Sequence, residues 1–411
     1  MHNPATLAQP DSPQSWFRLA VLLAIGTIGG GGMWSVVVVL PTVQAEFGVA
    51  RGAAALPYTL TMIGFGLGGV MMGRMADRYG IRRPVILGAV ALGAGYIAAS
   101  QATTLWQFAI AHGLLIGALG SSAMFVPLIA HASLWFQRRR GIAMAIAACG
   151  NYLAGTVWPP LIEHFVRTVG WRQTEFWAGM FCIATLLPLT LLLRARPPAI
   201  RENLAGAVGA RGAASLGLSP GALMGVLIAA GVACCVAMSM PQVHIVAYCG
   251  DLGYGAANGA QMLSLMLGFG IVSRIGSGVL ADRVGGIATL LAGSVLQGLS
   301  LVLYMFFDSL NSLFVISALF GLFQGGLVPS YAVIVREYFP ASEAGMRTGI
   351  VMMATLFGMA LGGWLSGVIF DLTHSYAAAF ANGVGWNLLN GAIAVSLLMR
   401  SRGRDLRLSA A

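Results

Sequence analysis

The sequence predicts an all-α integral membrane protein whose twelve transmembrane helices form two six-helix halves related by pseudo-twofold symmetry. Hydrophobic residues make up 58% and charged residues 9% of the 411 residues, a balance that soluble globular domains do not show. The segment GRMADRYG at 73–80 follows the second long apolar run, and GVLADRVG at 278–285 follows the eighth. A copy at the same place in each half indicates an internal duplication.

The predicted spans follow the long apolar runs of the chain. Runs of about 20 apolar residues are enough to cross the hydrocarbon core of a bilayer. A soluble helical bundle would need polar faces at the helical period, and these are missing from the sequence. In chain order the predicted spans are 17–44, 54–75, 84–102, 106–132, 141–162, 174–194, 220–246, 257–281, 286–307, 311–335, 345–370 and 377–399.

One long loop, rich in Gly and Ala, separates the first six spans from the last six. The first 16 residues are polar and lack the basic region of a secretory signal, so we expect a free tail and no cleaved signal peptide. The predicted organisation is an N-terminal tail at 1–16, an N-terminal half at 17–194, a linker at 195–219, a C-terminal half at 220–399 and a C-terminal tail at 400–411.

The distribution of arginine predicts the orientation of the chain. No Lys occurs, and nineteen of the 23 Arg fall on one side of the membrane if the N-terminus is cytoplasmic, whereas Arg51, Arg167 and Arg172 fall on the other. Because basic residues collect in short cytoplasmic loops, we expect both termini inside. This asymmetry accounts for the net charge of +10, so a nucleic-acid partner is not predicted.

Catalytic and metal-binding patterns are not found in the sequence. The five Cys lie in or beside spans without the spacing of a disulfide framework or a metal site. No nucleophile–base pair and no phosphate-binding glycine loop can be placed. We therefore predict a protein that is not an enzyme and uses no cofactor or metal. Glycine pairs four residues apart are expected to allow close helix contacts, namely Gly64/Gly68, Gly113/Gly117 and Gly363/Gly367.

Arg274 is the most informative residue, because it interrupts the otherwise uncharged stretch from Gln261 to Leu280. By our span placement no Asp or Glu lies within the membrane, so this guanidinium has no predicted counter-ion there. A charge at bilayer depth is costly and usually marks a substrate path. The interpretation is that the cargo is an anion; the alternative is that the side chain extends to the inner surface or bonds a carbonyl of a broken helix.

Several other polar or aromatic residues lie in the middle of spans. They are candidates either for substrate binding or for interhelical hydrogen bonds, and they are Trp34, Ser121, Ser122, Asn151, Tyr152, Gln324 and Tyr331. His112 in span four and His244 near the outer end of span seven could titrate near neutral pH and serve proton coupling. The alternative for both is a neutral imidazole with its hydrogen bonds satisfied.

The loop sequence from Gly73 to Arg83, with its copy at 278–285, resembles the loop signature of the major facilitator superfamily and implies that fold. The resemblance implies that Asp77 meets the inner end of a neighbouring helix and an Arg, which locks the outward-facing state, and that Asp282 is a second, weaker latch. A carboxylate at a helix N-terminus is stabilised by the helix dipole. The alternative is a turn with solvated charges. The implied gating residues are Gly73, Asp77, Arg78, Gly80, Arg82, Gly278, Asp282 and Arg283.

The segment from Trp135 to Gly150 resembles the helix-5 signature of the monocarboxylate transporter family. Pro241 to His244, Asp251 to Gly253 and Gly363 to Tyr376 extend the resemblance. In that family an Arg four residues before the Gly of the second loop motif pairs with the substrate carboxylate, and Arg274 precedes Gly278 by that interval. Gly270 stands where proton-linked animal members carry an acidic residue.

These resemblances imply a secondary active or facilitative transporter that moves a small monocarboxylate-type organic anion by alternating access. A single buried Arg favours a monoanion. We expect a monomer in a bacterial inner membrane, with a proton as an open second partner. The alternative is an exporter of drugs or amphipathic metabolites of the same superfamily, although its helix-5 signature is not matched at 150–160.

Overall fold

The computed structural model describes residues 10–193 and 216–409, and within them the chain is helical apart from short turns. Eleven helices of this part are long and apolar enough to cross a membrane, and we label them α1 to α11 in chain order. They are Pro13–Phe47, Arg51–Tyr79, Arg82–Ser100, Leu105–Ser133, Gly141–Val169, Trp171–Leu191, Pro220–Asp251, Ala256–Val284, Gly286–Phe306, Leu310–Tyr338 and Glu343–Thr373.

A last helix, α12, runs from Tyr376 to Ser409 and contains the predicted span 377–399. It is less apolar than the others because Asn382, Asn387 and Asn390 interrupt it. Asn387 and Asn390 are buried and hydrogen-bonded inside the protein. Every predicted span overlaps one of these twelve helices, so the prediction of an all-α membrane fold is confirmed.

Local sequence fixes where many of the helices begin and end. Ser12 caps α1, Ser219 caps α7 and Ser309 caps α10, each by accepting a hydrogen bond from a backbone N–H three residues later. Such caps satisfy donors that the first helical turn leaves unpaired. The last glycine of each loop motif ends its helix at positive φ, at 79° for Gly80 and 84° for Gly285, a region that other residues avoid.

Three of the long helices are interrupted near their middle, and the interruption of α1 is at Gly30. In α4, a π-helix at Ala111–Gly120 is followed by a tight turn at Ser121–Met124 and an α-helix at Val126–Ser133. In α10, Leu310–Gln324 and Leu327–Tyr338 are separated at Gly325 and Gly326. The interruptions of α4 and α10 fall at the same position of the two six-helix sets, in the fourth helix of each.

The chain divides into two compact units. Unit 1 contains Met1–Phe47 and Leu60–Asn203, and unit 2 contains Gly48–Thr59 and Leu204–Ala411. In unit 1, α3 packs against α4 and α6, and α1 packs against α5. In unit 2, α9 packs against α10 and α12, and α7 packs against α11. The same pairs recur at the same positions of each set, as a duplication predicts. Residues 195–215 of the predicted linker 195–219 lie outside the described residues.

Glycines allow the closest helix contacts within each unit. A Cβ on Gly64 or Gly68 of α2 would collide with the carbonyls of Gly113 or Ala118 in α4, and a Cβ on Gly321 of α10 would collide with the carbonyl of Met266 in α8. Small residues at such contacts let backbones approach closely. Gly113, Gly117 and Gly367 are also closely confined by neighbouring segments, and Gly363 lies less tightly against the Tyr58 ring, so all three predicted glycine pairs lie at close contacts.

Candidate functional site

Arg274 lies on α8, ten residues before its end at Val284, which is about 15 Å along the helix axis. Its side chain is half-buried. The neighbouring turn of α8 faces α10, because Gly270 and Ser273 lie against Gly325, and Ser277 lies against Gly326. The guanidinium is therefore carried by the turn of α8 that lies against the interruption of α10.

The interruption of α10 changes the local electrostatics of unit 2. The second part of α10 begins at Leu327, and its first intrahelical bond runs from the Ser330 N–H to the Gly326 carbonyl at 3.2 Å. The first N–H groups of a helix have no acceptor within it and carry a partial positive charge. This helix start and Arg274 are both features that favour an anion.

Two pairs of buried polar side chains link helices within unit 2. Gln242 of α7 donates from Nε2 to Oε1 of Gln324 at 2.7 Å, and the Tyr331 hydroxyl donates to Oδ1 of Asn390 at 2.8 Å. Among the described residues, Gln324 Nε2 and Asn390 Nδ2 are buried without a hydrogen-bond partner. Sequence reasoning selected Gln324 and Tyr331 but missed Gln242 and Asn390. Polar residues in the middle of α7 and α12 were the signal that could have found them.

The candidate residues of unit 1 mostly bond to backbone carbonyls. The Trp34 indole donates to the Asn151 carbonyl at 3.1 Å, which brings these two predicted residues together. Ser121 donates to the Gly29 carbonyl at 2.8 Å and Ser122 to the Ala118 carbonyl at 2.6 Å. Tyr152 is buried, and its carbonyl accepts from the Thr156 hydroxyl at 2.8 Å. The Asn151 Oδ1 atom is buried and accepts no hydrogen bond from the described part of the chain.

The two histidines differ in their surroundings. His244 Nε2 lies 2.8 Å from the Gly363 carbonyl, which satisfies one ring nitrogen. His112 is fully buried, and neither of its ring nitrogens is hydrogen-bonded within residues 10–193 and 216–409. Its Nε2 atom lies 3.7 Å from Oε2 of Glu175. The Nδ1 atom of His244, like both ring nitrogens of His112, is buried without a hydrogen-bond partner among the described residues, so a fully satisfied imidazole describes neither histidine.

The expectation that no carboxylate lies within a span is wrong. Glu175 is 1% exposed and Glu163 is 9% exposed, and they lie on α6 and α5. The predicted sixth span, 174–194, already held Glu175 in its first turn, and Glu163 lay one residue beyond the predicted end of the fifth. In the structure α6 begins at Trp171 and α5 continues to Val169. Both carboxylates are therefore at least one helical turn inside their helices. The helix ends depend on Gly170, whose positive φ of 85° makes the turn.

The loop motifs have the predicted turn, at Gly80 and Gly285. Asp77 and Asp282 are exposed, and no hydrogen bond or ion pair to either carboxylate exists among the described residues. Arg78 and Arg283 are exposed, and Arg82 is half-buried. A Cβ on Gly73 or Gly278 would meet open space. In unit 2, Glu337 instead accepts from the first N–H of α9, at Gly286, at 3.0 Å.

A cluster of charged and aromatic residues in unit 2 was not foreseen. Arg51 donates from Nη1 to Asp251 at 2.9 Å, and Tyr376 donates to the same carboxylate oxygen at 2.6 Å. Asp371 accepts from the backbone N–H groups of Arg51 at 2.8 Å and Gly52 at 2.7 Å. We call Arg51, Asp251, Asp371 and Tyr376 the Arg51 cluster. It ties the segment 48–59 to α7, α11 and α12.

Comparison with known proteins agrees with this architecture. The family model described as Major Facilitator Superfamily matches residues 22–316 and 276–411. The MFS-type transporter pynF of Aspergillus niger is 25% identical over 81% of this chain and 76% of its own length. Monocarboxylate transporter 13 of Bos taurus is 29% identical over 79% of this chain and 75% of its own length.

A solved structure has the same fold. It is a bacterial homolog of the human lysosomal transporter Spinster, in an inward-facing and occupied conformation, with a TM-score of 0.73 and 13% identity. The match covers 95% of this chain and 98% of that one. From the helices, the duplicated loop motif and the family match, the chain belongs to the Major Facilitator Superfamily and is a multi-pass membrane transporter.

Proposed function

We propose that the protein carries a small monocarboxylate-type organic anion across the membrane by alternating access, with Arg274 as the residue that binds the carboxylate. The observation that carries this proposal is the position of Arg274, an arginine about 15 Å from the end of an apolar helix of 29 residues. A guanidinium stays charged at any physiological pH and can hold a carboxylate by two parallel hydrogen bonds.

The surroundings of Arg274 support an anionic ligand. The start of the second part of α10 lies against the same turn of α8, and its dipole adds positive potential. Gln324, the last residue before the interruption, keeps an unused amide N–H that can donate to a second polar group of the substrate. Gln242 would position this amide through the 2.7 Å hydrogen bond between the two side chains.

The arginine of α11, Arg347, is held by protein groups, which supports a single negative charge on the substrate. Arg347 of α11 is held by Glu343, with its Nε and Nη2 atoms 2.8 Å and 2.7 Å from one carboxylate oxygen, and its guanidinium lies 4.3 Å over the ring of Phe339. It is therefore already neutralised. A dicarboxylate would need a second cation at the site, so a monoanion is the better match.

Transport would use the two predicted halves, 17–194 and 220–399, which expose the site first to one side and then to the other. The predicted loop latches at Asp77 and Asp282 would bias that equilibrium. The arginine distribution supports a bacterial inner membrane protein with both termini cytoplasmic, and we propose that it works as a monomer. Monocarboxylate transporter 13, a named relative, is in keeping with this substrate class.

The test is a thermal-shift screen of the purified protein with three acids and their neutral amides: pyruvate and pyruvamide, lactate and lactamide, benzoate and benzamide. A ligand that binds only the folded state raises the midpoint of unfolding. We expect at least one acid, and none of the amides, to stabilise the protein.

Arg274→Gln should lose this stabilisation, and Arg167→Gln should keep it, because Arg167 is an exposed guanidinium on α5. Equal stabilisation by an acid and its amide, or by the acid in Arg274→Gln, would refute the assignment. Stabilisation by an amphipathic amine added to the same screen, with none from the three acids, would favour an exporter.

A further inference from the structure

The buried pair His112 and Glu175 is a feature of unit 1 that the proposed anion site does not use. Glu175 Oε2 and both His112 ring nitrogens have no hydrogen-bond partner within the described residues, although Oε2 and Nε2 are only 3.7 Å apart. The side chains are 1% and 0% exposed. Two ionisable groups thus face each other in a dry site without the hydrogen bonds that a purely structural pair would make.

The walls of this site are mostly aromatic. Phe108 lies 4.4 Å and Tyr96 lies 6.4 Å from the His112 ring, measured between ring centroids. The Tyr96 hydroxyl, on α3, donates to Ser35 of α1 at 3.2 Å, so it is not bonded to the pair. Among the described residues, Tyr96 and, on α6 itself, Cys182 also interact electrostatically with Glu175.

Neighbouring charges do not compensate Glu175. Arg172 precedes it by three residues, but its guanidinium lies 2.6 Å from Glu46 and donates to the carbonyls of Ser100 and Ala102. From α5, which also packs against α6, Trp158 contacts Phe181. The α2 segment beside His112 presents Leu60 and Thr61, next to Gly113 and Gly117. His112 is therefore the partner that can neutralise the carboxylate.

Charge counting then fixes the number of protons at the pair. A carboxylate beside a neutral imidazole would be an uncompensated buried anion, which a dry interior does not tolerate. A carboxylic acid beside a neutral imidazole, or a carboxylate beside an imidazolium, is neutral overall. Both neutral states hold one proton more than the anionic state. The buried pair therefore retains one proton and can release it only when water or a new cation reaches Glu175.

We propose that His112 and Glu175 form a proton-binding site and that each transport cycle loads and releases one proton there. The inference rests on the proposed function, since it couples the proton to the anion bound at Arg274. One proton moving with one monoanion carries no net charge, so transport would respond to a pH gradient and not to the membrane potential. The proton binds to the carboxylate or the imidazole and leaves to water, and no other reactant is needed.

The first experiment uses proteoliposomes, with the acid that gives the largest thermal shift and an internal pH dye. For the wild-type protein we expect uphill accumulation under an inward proton gradient, internal acidification during uptake, and no response to a potassium-valinomycin potential. Glu175→Gln and His112→Gln should exchange labelled for unlabelled substrate at near wild-type rates but lose accumulation and acidification. Glu163→Gln, which removes the other buried carboxylate of unit 1, should keep both.

Exchange activity shows that a variant is folded and binds substrate. Accumulation by Glu175→Gln and His112→Gln equal to that of the wild type would overturn the proposal and leave the anion site intact. So would a wild-type protein that exchanges substrate but ignores the pH gradient. If no carboxylate moves at all, the proposed function fails instead.

A second measurement, infrared difference spectra of the protein in liposomes after a pH step, tests the proton site without substrate. We expect carboxyl or imidazole bands in the wild type that both Glu175→Gln and His112→Gln lose. Identical spectra in the wild type and Glu175→Gln would refute a titratable site at this pair.

Discussion

Removing the Asp371 side chain should loosen the segment 48–59 from unit 2. Its two carboxylate oxygens accept the N–H groups of Arg51 and Gly52 at 2.8 Å and 2.7 Å, so it caps the first turn of α2. Loss of a helix cap costs about 0.5–2 kcal/mol, and a hydrogen bond to a charged group contributes about 1.5–3 kcal/mol. Because Asp371 is half-buried, water can bond to the two N–H groups in the variant and offset part of the lost hydrogen-bond energy. We therefore expect Asp371→Ala to destabilise the protein by about 2 kcal/mol.

The assay is the midpoint of thermal unfolding of purified protein in detergent, together with limited proteolysis at Arg51. Asp371→Asn keeps one carbonyl acceptor for the two N–H groups, so it should fall between the wild type and Asp371→Ala. Asp308→Asn is the matched control, because Asp308 is an exposed carboxylate of the same unit. If Asp371→Ala unfolds at the wild-type midpoint and resists protease equally, the cap has no energetic role and the reasoning is refuted.

Two further predictions concern other contacts of the fold. Gly321→Ala should lower the midpoint of thermal unfolding, because the new Cβ would collide with the Met266 carbonyl. Gly349→Ala is the control: its Cβ meets open space, so the midpoint should stay equal or rise. Equal midpoints for the two variants would contradict the close contact of α8 and α10. Asp11 accepts N–H groups of Gln137, Arg138 and Arg139, and although slight burial raises the pKa of its carboxyl, these bonds and the Arg138 charge bring that pKa below its ordinary value. The contribution of the Asp11 carboxylate to stability is thus complete above its ordinary pKa and is lost as pH falls through the lowered pKa. Asp11→Asn should therefore have a lower midpoint of thermal unfolding than the wild type at neutral pH, and the two midpoints should converge in strong acid. A constant difference at all pH values would show that ionisation of Asp11 is not involved.

Hydropathy and loop motifs were sufficient to predict the twelve helices, because a membrane span is defined by length and apolar composition alone. The turn glycines Gly80 and Gly285 could be predicted from the loop motif, because a turn of this kind depends only on the residues beside it in the chain. Glu175 was placed at the edge of a span because the span was drawn from apolar residues, whereas the start of α6 at Trp171 is set by the turn at Gly170. Its pairing with His112 depends on the packing of α3, α4 and α6, which composition does not encode.

The residues that bond across helices were the least predictable. Tyr331 and Gln324 were recognised as buried polar groups, but their partners Asn390 and Gln242 lie 59 and 82 residues away in the chain. Arg51 was assigned to an exposed outer loop from its position between spans, yet it is 7% exposed and bonded to Asp251. Long-range pairs of this kind arise only when the helices assemble.

The central claim is that Arg274 binds the carboxylate of the transported anion. Its most direct test is counterflow of the labelled acid into proteoliposomes that contain Arg274→Gln, with Arg167→Gln as control. Truncating one partner of a buried, hydrogen-bonded charge pair costs about 2 kcal/mol or more, so half-saturation should need a substrate concentration at least about 30-fold higher. Counterflow by Arg274→Gln with wild-type affinity and rate would contradict the account.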